Sequence, residues 1–160
     1  MRNVIRQIIE FYPDDNLSVS MESGDNASGR PGSLYIPPDS NPSAGLFLLE
    51  NTQGVVEEAL SLCRIAAIKI TSADYDDRIT YLPVPDPEPE GCDADCEASI
   101  RAYLPVGTNA SINAGGQTVA NGEVIQTQFG MVVLVQGADV IFVSTCKVEI
   151  ITLANQVVVP

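Results

Sequence analysis

The sequence contains no histidine, and lysine and arginine together account for only 8 of its 160 residues. Without histidine, the commonest general base of enzymes and a frequent zinc ligand are both missing. The chain also lacks a Gly-rich phosphate loop, a Gly-x-Ser-x-Gly turn and a His-Glu-x-x-His helix. We therefore predict no enzyme, no catalytic residue, no cofactor and no metal site. A glycosidase that uses only carboxylates is the weakest remaining alternative.

The shortage of basic residues leaves a large negative charge. Against the 8 basic residues stand 21 acidic ones, which gives a formal net charge of −13 and an isoelectric point near 4.1. Such a field disfavours the approach of polyanions. The sequence therefore predicts that neither nucleic acid nor an anionic membrane is a partner.

Long apolar segments are also missing. The longest apolar runs, such as residues 131–135, are far shorter than the roughly 20 residues that span a bilayer. The first residues show no export signal, because Arg2 and Arg6 interrupt the apolar pattern there. We expect a soluble protein that is synthesised in the cytoplasm. Since 45% of the residues are hydrophobic, we also expect a folded core.

The first half of the chain has the pattern of a helix followed by strands. Apolar residues at helical spacing precede Pro13, and alternating residues 17–21 indicate a strand. Residues 24–32 are rich in glycine, asparagine and proline, which predicts turns. Strand patterns return at residues 45–50 and 55–70, with a break at residues 62–64. The predicted order is one helix and then about five strands.

The second half follows the same order. Residues 98–104 predict a helix and residues 110–114 predict a strand. Three blocks align with the first half: Asn-Leu-Ser-Val-Ser at 16–20 with Asn-Ala-Ser-Ile-Asn at 109–113, Gly-Leu-Phe-Leu-Leu at 45–49 with Gly-Met-Val-Val-Leu at 130–134, and Ser-Leu-Cys-Arg-Ile at 61–65 with Ser-Thr-Cys-Lys-Val at 144–148. We predict a mainly β chain with two tandem repeats, 1–82 and 92–160. The acidic, proline-rich residues 83–91 form an extended linker.

A short helix followed by about five bent strands resembles the Sm-like fold, a small barrel related in shape to SH3-like barrels. The resemblance rests on the order of elements in both halves. Sm-like RNA binders carry an Arg-Gly or Tyr-Lys-His signature in the turn before the last strand, whereas this chain has Leu62-Cys63-Arg64 and Thr145-Cys146-Lys147. The resemblance therefore implies a tandem Sm-like fold without the usual RNA site. It also implies edge-to-edge association, since such barrels join into rings.

The four cysteines fall into two pairs. Cys63 and Cys146 occupy matching positions in the two repeats and are most simply explained as small buried residues in strands. Cys92 and Cys96 flank the start of the second helix, where a disulfide, a redox pair and half of a metal site are the alternatives. Of these, a Cys92–Cys96 disulfide in an oxidising destination is favoured over a metal site. Asp93 or Asp95 is expected to cap the second helix.

Two functions from different classes are compatible with these features. The first is a structural or scaffold protein that self-assembles into a homo-oligomer through strand edges. Val143 and Val148 mark the candidate assembly edge, because the surrounding segments carry few charges and need covering by the other repeat or by a neighbouring subunit. The composition resembles that of proteins at the spore surface of Gram-positive spore formers. The second function is a regulatory module that binds a small molecule or a peptide in the groove between the repeats.

The net charge makes a direct prediction about nucleic acids. Non-specific binding depends on basic residues that neutralise phosphates, and this chain has few of them. We expect no appreciable retention of RNA or DNA in a filter-binding assay at physiological salt. A micromolar dissociation constant in that assay would contradict the prediction.

Overall fold

The computed structural model describes residues 1–41 and 44–154. Within these ranges the protein is mainly β, which confirms the predicted class, with two α-helices and ten strands. The first half contains α1 (Arg2–Phe11), β1 (Asn16–Met21), β2 (Asn26–Tyr35), β3 (Leu46–Glu50), β4 (Val56–Ser61) and β5 (Ile65–Thr71). The second half contains α2 (Cys92–Tyr103), β6 (Asn109–Ala114), β7 (Gln117–Gln128), β8 (Met131–Gln136), β9 (Asp139–Ser144) and β10 (Ile150–Leu153). Part of the predicted second repeat, residues 155–160, lies outside the described residues.

In each half a single 3₁₀ turn separates the last two strands. The first turn (Leu62–Arg64) lies between β4 and β5, and the second turn (Thr145–Lys147) lies between β9 and β10. The order of helix, four strands, turn and strand is therefore the same in both halves. The predicted linker, residues 83–91, contains neither helix nor strand.

All ten strands belong to one antiparallel sheet. Its order is β10-β6-β7-β8-β9-β5-β1-β2-β3-β4. The two halves are joined where β5 pairs with β9, with Ala67 opposite Val143 and Ile68 opposite Phe142. The sheet therefore ends at β4, from the first half, and at β10, from the second.

The central strands are apolar on both faces because both faces are buried. Alternate residues of a strand point to opposite sides of the sheet. In β9, Val140 and Phe142 join a core cluster with α1 and the first-half strands, while Ile141 and Val143 join a cluster with the second-half strands. Each core cluster thus contains side chains from both halves, so neither half has a core of its own.

The predicted turns at residues 24–32 are wrong for the most part. Only the turn between β1 and β2 is found there, and β2 begins at Asn26 and continues through Gly29 and Pro31. The strand pairing shifts in register between Pro31 and Leu34. The glycine and proline residues therefore lie in a long strand with an irregular register, whereas the sequence pattern predicted turns.

Helix α1 is held on the sheet by the chain that follows β5. The amide of Thr80 donates a hydrogen bond to the Gln7 side chain at 2.7 Å. The Tyr12 hydroxyl donates to the Asp74 carbonyl at 2.9 Å, and the Arg78 guanidinium lies 4.4 Å from the centre of the Phe11 ring. These contacts fix the middle and the end of α1 on the sheet, and the whole helix is thereby positioned for the site described below.

The close approach of β7 to β8 at Gly122 generates a stability prediction. Gly122 has φ +152°, and a Cβ at this position would lie 2.2 Å from the carbonyl oxygen of Val135 on β8. We expect Gly122→Ala to lower the free energy of unfolding by about 2–4 kcal/mol, because backbone atoms must move. Gly137→Ala is the control, since its φ of +61° is unfavourable but no atom lies within 4 Å. That variant should cost about 1 kcal/mol in a urea titration. Equal losses would show that β7 does not approach β8 this closely.

Candidate functional site

The two 3₁₀ turns have matching hydrogen bonds. The Leu62 amide donates to the Gly45 carbonyl at 3.2 Å, and the Thr145 amide donates to the Gly130 carbonyl at 3.3 Å. In each turn the cysteine sulfur also lies near the hydroxyl of the serine two residues earlier, at 3.3 Å for Cys63 and 3.1 Å for Cys146. Corresponding positions of the aligned blocks therefore make the same contacts.

The predicted burial of these two cysteines is wrong. Cys63 and Cys146 lie in the 3₁₀ turns instead of in strands, and both thiols are exposed free cysteines. Each cysteine is the middle residue of its 3₁₀ turn. The prediction of burial failed because a turn between two strands points its middle side chain outward. Residue type alone does not reveal this.

Both thiols line one open cleft between the two turns and the start of α1. The cleft has a volume of about 810 Å³, and its lining also includes Arg2, Arg6 and Lys147. It is formed at the place where β5 and β9 join the halves, since Ile65 and Ser144 from these strands contribute to its wall. The strand pairing thus brings together residues far apart in the sequence.

A shared carboxylate links the halves beside the cleft. Glu22 accepts hydrogen bonds from Arg64 of the first turn and Lys147 of the second. The pKa of the Glu22 carboxyl lies below its ordinary value of 4.5, first because of the Lys147 hydrogen bond and then because of the Arg64 hydrogen bond. Sequence reasoning missed Glu22, because nothing in its neighbourhood indicates contacts 42 and 125 residues away.

The second cysteine pair lies elsewhere. Helix α2 begins at Cys92 instead of residue 98, so Cys92 and Cys96 are both inside its first turns, and both are free thiols. The neighbouring Cys92 is the largest of the causes that raise the pKa of the Cys96 thiol. A disulfide between them stays a prediction that depends on an oxidising environment.

The expected capping role of the aspartates is wrong. Asp93 and Asp95 lie in the first turn of α2, and the N-cap is Gly91, without a side-chain cap hydrogen bond. Their carboxylates still favour the positive end of the helix dipole. This error has the same origin as the prediction that the helix begins at residue 98. The polar stretch from Cys92 lacks the apolar periodicity that marks a helix.

A buried carboxylate fastens α2 to the sheet. Glu97 is only 6% exposed and accepts a hydrogen bond from the Gly130 amide at 2.9 Å. Arg101, one turn later, donates from Nε to the same carboxylate at 3.3 Å. The Glu97–Arg101 spacing of four residues was a readable signal of a helical ion pair. Its burial was not readable, because it depends on the docking of α2.

The two residues of the candidate assembly edge have different surroundings. Val143 is fully buried in β9, opposite Val132 of β8 on one side and Ala67 of β5 on the other. Two ways of covering this edge were predicted, by the other half or by a neighbouring subunit. At Val143 the edge is covered by β5 of the first half, within the same chain. Val148 follows the second 3₁₀ turn and precedes β10, which pairs on one side only among the described strands.

The uncovered edges are instead those of β4 and β10. Each strand pairs with one neighbour within the described residues, β4 with β3 and β10 with β6. Val56 on β4 is 48% exposed and Ile150 on β10 is 57% exposed. Unpaired backbone groups and exposed apolar side chains therefore occur together at both ends of the sheet.

No cluster of three or more cysteine or carboxylate side chains able to hold a metal ion occurs within residues 1–41 and 44–154. Neither of the two described helices is both long and apolar enough to cross a lipid bilayer.

The Glu22 bridge predicts a pH dependence. A carboxyl with a lowered pKa in the folded state contributes stability above its unfolded pKa, and that contribution is lost as the pH falls through the folded pKa. We expect Glu22→Gln to lower the urea midpoint at pH 7 and to flatten its decline below about pH 4.5. Glu123→Gln, which removes an exposed carboxylate of β7, serves as the control and should preserve the decline. Identical pH profiles for wild type and Glu22→Gln would contradict the role of the bridge.

Comparison with known proteins adds no relative: no family model, no curated protein and no solved structure matches this chain.

Proposed function

We propose that this protein is a structural protein that self-assembles head to tail through its two uncovered strand edges, β4 of one chain pairing with β10 of the next. The observation that carries the proposal is the internal pairing of β5 with β9. The free edges of β4 and β10 can form a strand pairing of the same kind between two chains. The proposal includes the tandem Sm-like organisation expected from the order of elements, because the argument uses the correspondence between the halves.

The aligned blocks relate the free edges to the internal junction. The block at 61–65 corresponds to 144–148, so β4 precedes its 3₁₀ turn as β9 does, and β10 follows its turn as β5 does. A β4–β10 pair between chains therefore has the same place in the fold as the β9–β5 pair within a chain. The recurring hydrogen bonds of the two turns support this correspondence.

The internal register sets the register between chains. Within the chain, Val143 lies opposite Ala67 and Phe142 lies opposite Ile68. Transfer through the alignment places Leu60 opposite Ile150 and Ala59 opposite Ile151. The exposed side chain of Ile150 would then be covered by an apolar residue of the next chain, which is the outcome that an exposed apolar edge requires.

Head-to-tail pairing uses two different surfaces, so it can continue from chain to chain. Such a heterologous interface gives a closed ring where the rotation between chains closes, and an open filament where it does not. Because each chain contains two repeats, a ring of a given number of repeats needs half as many chains. The particle is in either case a homo-oligomer.

The contact between chains is expected to be weaker than the internal junction. Inside the chain, a salt bridge crosses the junction: Lys69 Nζ of β5 lies 3.9 Å from Asp139 Oδ2 of β9. On the outer edge β4 carries Glu57 and Glu58, and the facing strand β10 has no basic residue. Charges on an edge strand hinder unwanted pairing. Assembly should therefore require a high protein concentration and increase with salt, which screens the carboxylates.

The proposal is tested by removing one outward backbone donor. The Ala154 amide donates to the Asn109 carbonyl at 2.9 Å, so the alternation of an antiparallel pair turns the Ile151 amide away from β6. Ile151→Pro should leave the chain folded and abolish the oligomer. The measurement is particle mass by light scattering over a range of concentrations, with circular dichroism to check folding.

Two further variants make the test specific. Ile151→Ala shortens the side chain but keeps the amide, so it should weaken assembly less than proline does. Val143→Pro should unfold the monomer instead, because β9 is paired on both sides. A folded Ile151→Pro variant with the particle mass of the wild type would refute assembly through β10, and so would a wild type that stays monomeric at every concentration and salt.

A further inference from the structure

The cleft between the two 3₁₀ turns is positively charged in a strongly acidic protein. Three of the 8 basic residues of the chain, Arg2, Arg6 and Lys147, line it. None of the described residues that line it is acidic, although the chain has 21 acidic residues. Basic residues gathered in a concave site concentrate the local field and attract anions.

The position of these cations is not explained by helix stability. Arg2 lies in the first turn of α1, which contains no acidic residue, and cations are disfavoured at that end of the helix dipole. Arg6 follows four residues later and therefore lies on the same side of the helix. Helix α2 has the opposite arrangement, with Asp93 and Asp95 in its first turn. The basic start belongs to α1 alone and faces the cleft.

Glu22 neutralises only part of the positive charge at the second turn. Lys147 is paired with Glu22, but the same carboxylate also pairs with Arg64, so the three groups together carry one net positive charge. Arg6 is exposed at the cleft. The cleft therefore offers an anion more positive than negative charge.

The rest of the wall is apolar or weakly polar. Leu62, Ile65 and Leu82 contribute hydrocarbon surface, and Cys63 and Cys146 contribute thiols. A volume of about 810 Å³ lies within the range of small-molecule sites, which combine apolar walls with a few polar groups. An inorganic ion alone would leave most of this wall without a contact.

We propose that this cleft binds a small organic anion in which an apolar body carries a carboxylate, sulfonate or phosphate group. Arg6 binds the anionic group, and the apolar body covers Leu62 and Ile65. The net charge of −13 of the whole chain disfavours a long polyanion, which would extend beyond the cleft. The site lies at the internal junction, so its occupation does not depend on pairing between chains.

The first test uses 8-anilinonaphthalene-1-sulfonate, an aromatic sulfonate that fluoresces in an apolar site. We expect saturable binding of one molecule per chain, weakened about tenfold by Arg6→Gln through loss of a charge-assisted contact. Arg30→Gln removes the same charge from β2, outside the cleft, and should leave the affinity unchanged. The uncharged analogue N-phenyl-1-naphthylamine should bind wild type and Arg6→Gln equally. If Arg6→Gln fails to fold, the salt dependence of wild-type binding provides the charge test.

The second test locates the bound probe. Alkylation by N-ethylmaleimide, followed by mass spectrometry, reports each of the four exposed thiols separately. Bound probe should slow the reaction of Cys63 and Cys146 and leave Cys92 and Cys96 unchanged.

Three results would overturn the proposal. One is an equal loss of affinity in Arg6→Gln and Arg30→Gln, which would indicate a general effect of net charge. Another is unchanged alkylation of both cleft thiols at saturating probe. The third is displacement of the probe by micromolar single-stranded oligonucleotide, which would identify a nucleic-acid surface instead.

Discussion

The pairing of β5 with β9 is the contact on which the rest of the molecule depends. It turns two sets of strands into one ten-stranded sheet and places side chains of both halves in each core cluster. A small domain buries too little apolar surface to be stable alone, so sharing a core is favourable for halves of this size. The junction therefore contributes to the stability of both halves at once, and neither is expected to fold without the other.

The same junction separates two kinds of surface. At the ends of the sheet, β4 and β10 leave backbone groups unpaired, which suits association with another chain. In the middle, the two 3₁₀ turns and α1 enclose a cleft with basic and apolar walls, which suits a small molecule. The two functional alternatives of the sequence, assembly and ligand binding, thus concern different parts of the protein and are compatible with each other.

The sequence patterns correctly predicted those helices and strands that bury either one face or both faces. Helix α1 and the strands β3 and β5 follow this rule, and the predicted break became the first 3₁₀ turn. Where local composition and tertiary contacts disagree, prediction failed: β2 passes through Gly29 and Pro31 because its neighbours pair with it, and α2 begins early because Glu97 docks on Gly130. The residues that line the cleft were not predictable, because Arg6 and Lys147 come to the same cleft only after β5 and β9 have paired.

The opposite charges at the starts of α1 and α2 have a consequence for any assembly. Each chain has Arg2 and Arg6 beside its internal junction, while Asp93 and Asp95 lie in the first turn of α2, in the half that ends in the free edge β10. A particle of such chains would present cationic and anionic junctions in strict alternation around its axis. Its capacity for anions would then equal the number of chains and not the number of repeats. Binding stoichiometry would therefore distinguish the two junctions even though their backbones are alike.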